Sequence, residues 1–180
     1  MNVVALVGMP GSGKSEVARI FQKSGYSAVR FGDITDEEVR KRGLMLNEEN
    51  ERMVREDLRK RHGMAAYAIL NLPRIEAALG KSGVVIDGLY SWEEYKYLKE
   101  KLGGRLSIVA VWAPPEVRYA RLKGRAVRPL NPGQARARDY AEIENVNKGG
   151  PIAMADFTIT NNGTLEALRQ QAGAIIGVLK

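Results

Sequence analysis

Short apolar runs alternate with amphipathic stretches along this chain. Asn2 to Val7, Ser27 to Phe31, Val84 to Asp87, Leu106 to Trp112 and Phe157 to Thr160 read as strands, with helical periodicity between them. Runs this apolar suit strands buried on both faces. Five of them separated by helices predict a three-layer α/β fold around a parallel sheet, linked by right-handed crossovers. Val17, Ala18, Ile20 and Phe21 share the apolar face of the first helix, which stops at Gly25. The last helix opens near Asn162-Gly163-Thr164 and carries Leu165, Leu168, Ala172, Ile175 and Leu179 on one face.

The stretch from Asp33 to about Ser82 is too long for one crossover. Asn47 is placed to cap a helix whose first turn holds Glu48, Glu49 and Glu51. Its last turn holds Arg59, Lys60, Arg61 and His62 before Gly63, so charge follows the helix dipole at both ends. That helix is mostly polar and belongs at the periphery. The next, from Met64 to Leu79, contains Pro73, which predicts a kink or break. Thr35 to about Ala66 therefore reads as a helical subdomain beside the phosphate loop, within a single domain spanning 1–180.

Gly8-Met9-Pro10-Gly11-Ser12-Gly13-Lys14-Ser15 matches the phosphate-binding loop pattern G-x-x-x-x-G-K-S/T in full, between the first strand and the first helix. Gly8, Pro10, Gly11, Ser12 and Gly13 are candidates to wrap backbone N–H groups around a phosphate. Lys14 offers a charge to the β- and γ-phosphates, and Ser15 a hydroxyl to Mg²⁺. The helix N-terminus adds its own preference for an anion. Two acids end strands on the edge where open α/β sheets bind ligands. Asp87, followed by Gly88, has the form of a Mg²⁺-holding acid, and Asp33 is placed to bind or deprotonate an acceptor. Either Asp would equally suit the cap of a following helix.

The 180 residues contain no cysteine and one histidine, so disulfides, thiolate chemistry, Ser-His-Asp triads and His-based metal sites are excluded. No apolar stretch approaches membrane-helix length, and the first run is too short for a signal segment; the expected setting is cytoplasmic. The net charge of +7 is concentrated. Arg118, Arg121, Lys123, Arg125, Arg128, Arg136 and Arg138 occur with no acid among them, and the remaining 21 basic residues balance the 21 acidic ones. A duplex-binding face would spread along a backbone, whereas this run is confined to one helix end and the loop after it. It suits closure over a polyphosphate, with Arg121, Arg125 and Arg128 as candidate lid charges within 122–138. A solvated basic loop would have the same composition.

Taken with the phosphate loop, Phe31-Gly32-Asp33, Ile86-Asp87-Gly88, Ala113-Pro114-Pro115 with Arg118 and Arg121, and Ala155-Asp156 through Asn162-Gly163-Thr164 follow one order. In that order the chain resembles P-loop nucleoside monophosphate kinases, dephospho-CoA kinases and the adenylate-kinase-like proteins related to both. The resemblance implies a five-stranded core, an acceptor-binding helical insertion and a mobile arginine lid. It also implies ATP with Mg²⁺ as donor, with adenine near Asn162 and Gly163. Monophosphate kinases usually carry acceptor-gripping arginines where this chain has Asp36 and Leu89-Tyr90; Arg40, Arg42 and Arg74 are the candidates to replace them.

The expectation is a kinase that moves the γ-phosphoryl group of ATP to a small, nucleotide-like acceptor. A nucleotide-dependent switch is the alternative, and a nucleic-acid-binding module comes third.

Overall fold

The computed structural model describes residues 1–127 and 129–179. Its elements run β1 (Val3–Val7), α1 (Lys14–Lys23), β2 (Ser27–Arg30), α2 (Asp33–Lys41), α3 (Glu48–His62), α4 (Ala66–Leu79), β3 (Val84–Asp87) and α5 (Trp92–Leu102). After a 3₁₀ turn at Gly103–Arg105 come β4 (Leu106–Trp112), α6 (Pro115–Lys123), α7 (Pro132–Glu144), α8 (Gly149–Ala153), β5 (Phe157–Thr160) and α9 (Leu165–Leu179). The strands form one parallel sheet in the order β2-β3-β1-β4-β5.

Alternation along β1 explains the two layers. Val3, Ala5 and Val7 face a core completed by Ile86, Ile108, Leu98, Ile75, Tyr67, Val54 and Leu58. Val4 and Leu6 face the other core, with Val85, Val109, Val111 and Ile159 against Val17 and Phe21 of α1 and Leu168, Ala172 and Ile175 of α9. Leu165 departs from its expected place on the buried stripe and is exposed, because it opens α9 before the helix settles on the sheet.

Asn47 caps α3, its side chain accepting from the Asn50 N–H at 2.9 Å, and Gly63 ends that helix with φ +77°. The polar α3 buries only a narrow edge, Glu51, Val54 and Leu58. The break expected at Pro73 is not there, and α4 continues through it. Proline leaves the Ile69 carbonyl without its helical donor, and Ile69 lies on an exposed flank where water can serve instead.

Part of the basic segment is helical. Residues 132–138 form the first half of α7, with Asn131 and Gln134 exchanging capping bonds at 2.9 Å each and Pro132 at the first helical position. No helix among the described residues is long and apolar enough to cross a membrane.

Candidate phosphate-binding site and adjoining cleft

The phosphate loop leaves β1 at the carboxyl edge of the sheet. Register puts the neighbouring strand ends there too: Leu6 pairs with Asp87, and Asp87 with Arg30. The glycines are dictated by space as well as by backbone angle. A Cβ on Gly8 would lie 2.3 Å from the Val111 carbonyl oxygen, and one on Gly13 would lie 2.2 Å from Asn161 Nδ2, with φ +150° and +103° at the two positions. Pro10 offers its carbonyl to Arg118 Nη1 at 3.1 Å, and Asn161 Nδ2 donates to the Ser12 carbonyl at 2.8 Å. The loop is thus held from behind by α6 and by the end of β5.

In front of the loop is a pocket of about 200 Å³ lined by Gly11, Gly13, Lys14, Ser15, Glu16, Arg121 and Arg125. Ser12 Oγ and Arg121 Nη1 are buried and have no hydrogen-bond partner among the described residues. Orphaned polar atoms are rare inside proteins, and two beside a glycine cradle fit an anion such as a nucleotide phosphate. Lys14 Nζ donates to the Gly8 and Met9 carbonyls at 2.8 and 3.2 Å. Burial pushes its ammonium down to about 7, with Lys148 adding to the shift and Glu142 and Asp87 opposing it. Lys14 is therefore held in the loop rather than extended into solvent.

Beside this pocket lies a cleft of about 680 Å³. Arg30, Gly32, Thr35 and Asp36 form one side with Arg52, Arg55 and Arg59 of α3, and Gln134, Arg138 and Glu142 of α7 face them together with Tyr90 and Lys148. Arg30 Nη1 donates to Asp33 Oδ1 at 2.7 Å and to Asp36 Oδ2 at 2.9 Å. Asp36 lines the cleft; Asp33, at the first position of α2, is not among its described lining residues. Arg138 approaches Glu142 at 3.3 Å and Glu48 of α3 at 3.7 Å, tying the two sides together. Burial by itself would raise the Glu142 carboxyl, but Lys148, Arg138 and Lys14 outweigh it and hold the group at about 2.

The remaining sequence candidates fall as follows. Asp87 ends β3 before Gly88, whose φ is +104°. Asn162 and Gly163 are exposed in the turn after β5, whereas the buried Asn161 is the residue that supports the loop. Arg118 does not join a phosphate-facing cluster. It is buried and donates to both carboxylate oxygens of Asp139, because the acid that balances it lies just beyond the basic run. Arg128 lies outside the described residues. Of the replacement arginines, Arg42 is taken by Glu38 and Asp57, and Arg74 by Glu37. The arginines that do line the cleft, Arg30, Arg52, Arg55, Arg59 and Arg138, come from β2, α3 and α7.

A parallel sheet in this order, with a glycine cradle between its central strand and the following helix, defines a P-loop domain of the kinase-like α/β type. A family model described as an AAA domain matches residues 4–143. The chain belongs to the UPF0200 family. It is 39% identical over 178 residues to the UPF0200 protein of Thermococcus kodakarensis, covering 97% of this chain and 96% of that one. Its identity to the UPF0200 protein of Methanosarcina barkeri is 34%, over 98% and 95% of the two chains.

Among solved structures, TT1252 from Thermus thermophilus superimposes with a TM-score of 0.67 at 22% identity, over 99% of this chain and 98% of that one. A gluconokinase from Sinorhizobium meliloti gives 0.61 at 18%, over 99% and 93%. A shikimate kinase from Acinetobacter baumannii in complex with shikimate gives 0.59 at 19%, also over 99% and 93%. These likenesses establish the fold.

Proposed function

We propose that the protein is a small-molecule kinase, dependent on ATP and Mg²⁺, that transfers the γ-phosphoryl group to a small, nucleotide-like acceptor. The observation that carries this reading is the pairing of two compartments on one sheet edge. One is a phosphate-sized pocket lined by Arg121, whose Nη1 has no hydrogen-bond partner among the described residues. The other is a roomier cleft walled by side chains of both charges. A nucleotide switch needs the first and has no use for the second. The gluconokinase and the shikimate kinase that share this fold are in keeping with a small acceptor.

The backbone of Gly8 to Gly13, with Lys14, would hold the donor phosphates, and Asn162 and Gly163 would border the base. Ser15 and Asp87 would hold Mg²⁺, whose charge offsets that of the β- and γ-phosphates when bound. Arg121, Arg125 and Arg128 would close over the donor. Arg30 fixes Asp33 and Asp36 at the β2 edge. There Asp33 would take the proton of a hydroxyl acceptor, or orient an acceptor that needs no base, while Asp36 faces the acceptor. The acceptor oxygen bonds to phosphorus as the β,γ-bridging oxygen leaves with ADP. Catalysis is then positioning and charge stabilisation, with water excluded as the basic segment closes.

A screen of nucleoside monophosphates, dephospho-CoA and small hydroxy acids, following ADP release from MgATP, tests the reading. At least one acceptor is expected to stimulate release well above the rate with ATP alone. Release indifferent to every acceptor would favour a switch.

A further inference from the structure

Lys148 lies in the loop between α7 and α8. Its side chain is 2% exposed, yet it lines the cleft. Its Nζ bonds to Glu142 Oε2 and lies 5.1 Å from the centre of the Tyr90 ring. Tyr90 follows Asp87-Gly88-Leu89 at the end of β3, and its hydroxyl lies close to both Gly88 and Gly32. Lys148 therefore stands on the same sheet edge as the phosphate loop, and it is the charge that acts most strongly on Lys14.

Glu142 acts on both lysines, and Asp87 acts on Lys14 as well. Like charges repel, and burial sharpens the repulsion, so an anion entering between the two lysines would be held by both.

A purely structural role for Lys148 is weakly motivated. Its loop is already fixed by the Lys148 N–H to the Glu142 carbonyl at 3.1 Å and by the Trp92 N–H to the Val146 carbonyl at 3.3 Å. Gly150 is packed so closely on the Trp92 ring that a Cβ would lie 2.8 Å from it. The loop even accepts a left-handed Asn147, φ +51°, immediately before Lys148. A conformation uncommon for a non-glycine residue is thus retained where it delivers this side chain to the cleft.

We propose that Lys148 is a second phosphate-binding lysine, which meets the transferring phosphoryl group from the acceptor side while Lys14 meets it from the donor side. Glu142 holds the Lys148 side chain in position. An ammonium has three donors; one serves Glu142, and the others serve phosphoryl oxygens. Stabilisation of this kind grows as charge moves between donor and acceptor, so it acts on the transition state more than on bound nucleotide. The inference rests on the transfer reading above.

The test uses a fluorescent ADP analogue with Mg²⁺, titrated with and without aluminium fluoride, which mimics the phosphoryl group in flight. The parent protein is expected to hold the nucleotide more tightly with aluminium fluoride. Lys148→Met should bind the nucleotide alone within about threefold of the parent but lose at least about tenfold of the tightening, the scale expected of one lost transition-state donor. Lys148→Arg should recover part of it. The double variant Lys148→Met/Glu142→Gln removes both partners of the buried pair and should show the same loss, so it serves if the single variant fails to fold.

Undiminished tightening in a folded Lys148→Met or double variant would overturn the role of Lys148 and leave the kinase reading standing. A parent that binds the nucleotide but gains nothing from aluminium fluoride would overturn the transfer reading, and this inference with it.

Discussion

Arg118 and Asp139 form a buried ion pair with two parallel bonds, Nη1 to Oδ1 at 2.9 Å and Nη2 to Oδ2 at 2.6 Å. The same guanidinium donates to the carbonyls of Pro10 and Ala113, each at 3.1 Å. One side chain thereby joins the phosphate loop, the end of β4 and the two helices that carry the basic segment.

Removing one partner strands the other in a low-dielectric site. Arg118→Ala should therefore destabilise the protein by about 3–5 kcal/mol, whereas replacing both partners with apolar residues of similar size should cost much less. Chemical denaturation of the two single variants and the Arg118→Met/Asp139→Leu double variant measures this. A loss below about 1 kcal/mol in Arg118→Ala would mean that the pair is a surface-grade interaction.

The two acids at the strand ends should separate kinetically. Asp87→Asn is expected to weaken Mg²⁺-dependent nucleotide use with every acceptor. Asp33→Asn should lower turnover at unchanged ATP affinity, and Asp36→Asn, on the cleft wall, should raise the acceptor KM. Steady-state kinetics with the donor and the acceptor varied in turn distinguishes these outcomes. Equal losses of nucleotide affinity in all three variants would contradict the division into donor and acceptor sides.

Arg121 and Arg125 line the phosphate pocket from α6 and the loop after it. Replacing either with Ala should lower turnover by about 10²-fold or more, since arginines meeting a transferring phosphoryl group are worth up to several powers of ten. Lysine should rescue only in part, because it keeps the charge and loses the planar fork. The exposed Arg125 should change stability by less than about 0.5 kcal/mol. Turnover and thermal midpoint measured on the same samples provide the check.

Glu94 gives a pH signature of folding. Burial pushes its carboxyl up to about 7, against the bonds it accepts from the Tyr90 and Ser91 N–H groups at 2.8 and 3.3 Å. A folded-state value above the unfolded one means that the folded protein binds the proton more tightly. This group's contribution is therefore complete below about pH 4.5 and is lost as pH rises to about 7. Glu94→Gln keeps the capping geometry and removes the ionisation. It should flatten the stability profile in that window by an amount on the order of 1–3 kcal/mol. Denaturation midpoints of both proteins at pH 5 and pH 8 test this; parallel profiles would refute it.

Much of the frame was legible in the order of residues, for local reasons. Asn47, the acidic first turn, the basic last turn and Gly63 bracket α3 because caps and dipole act within a few residues of the helix ends. Gly8 to Ser15 is legible because each position has its own steric or chemical demand. Asn131-Pro132-Gly133-Gln134 carries an equally local capping signal for α7, which the density of arginines around it obscured.

What stayed hidden depends on distant partners. Arg118 counts in the sequence only as one of seven basic residues with no acid among them, because Asp139 lies 21 residues away and meets it only when α6 and α7 pack together. Arg52, Arg55 and Arg59 belong to a helix whose polarity places it only at the periphery; the cleft that they line needs α7 as its other wall. Lys148 carries no motif; only the fold brings it to the phosphate edge. Asn161 likewise carries no motif, because the Ser12 carbonyl that it supports lies 149 residues away in the sequence.

The central claim is transfer, and following the γ-phosphorus tests it most directly. With γ-labelled ATP, Mg²⁺ and an acceptor that stimulates ADP release, the label should appear on the acceptor in step with ADP. The same reaction with Lys14→Ala should lose about 10²-fold or more of that rate. Label found only as inorganic phosphate, at a rate that no acceptor alters, would contradict the account.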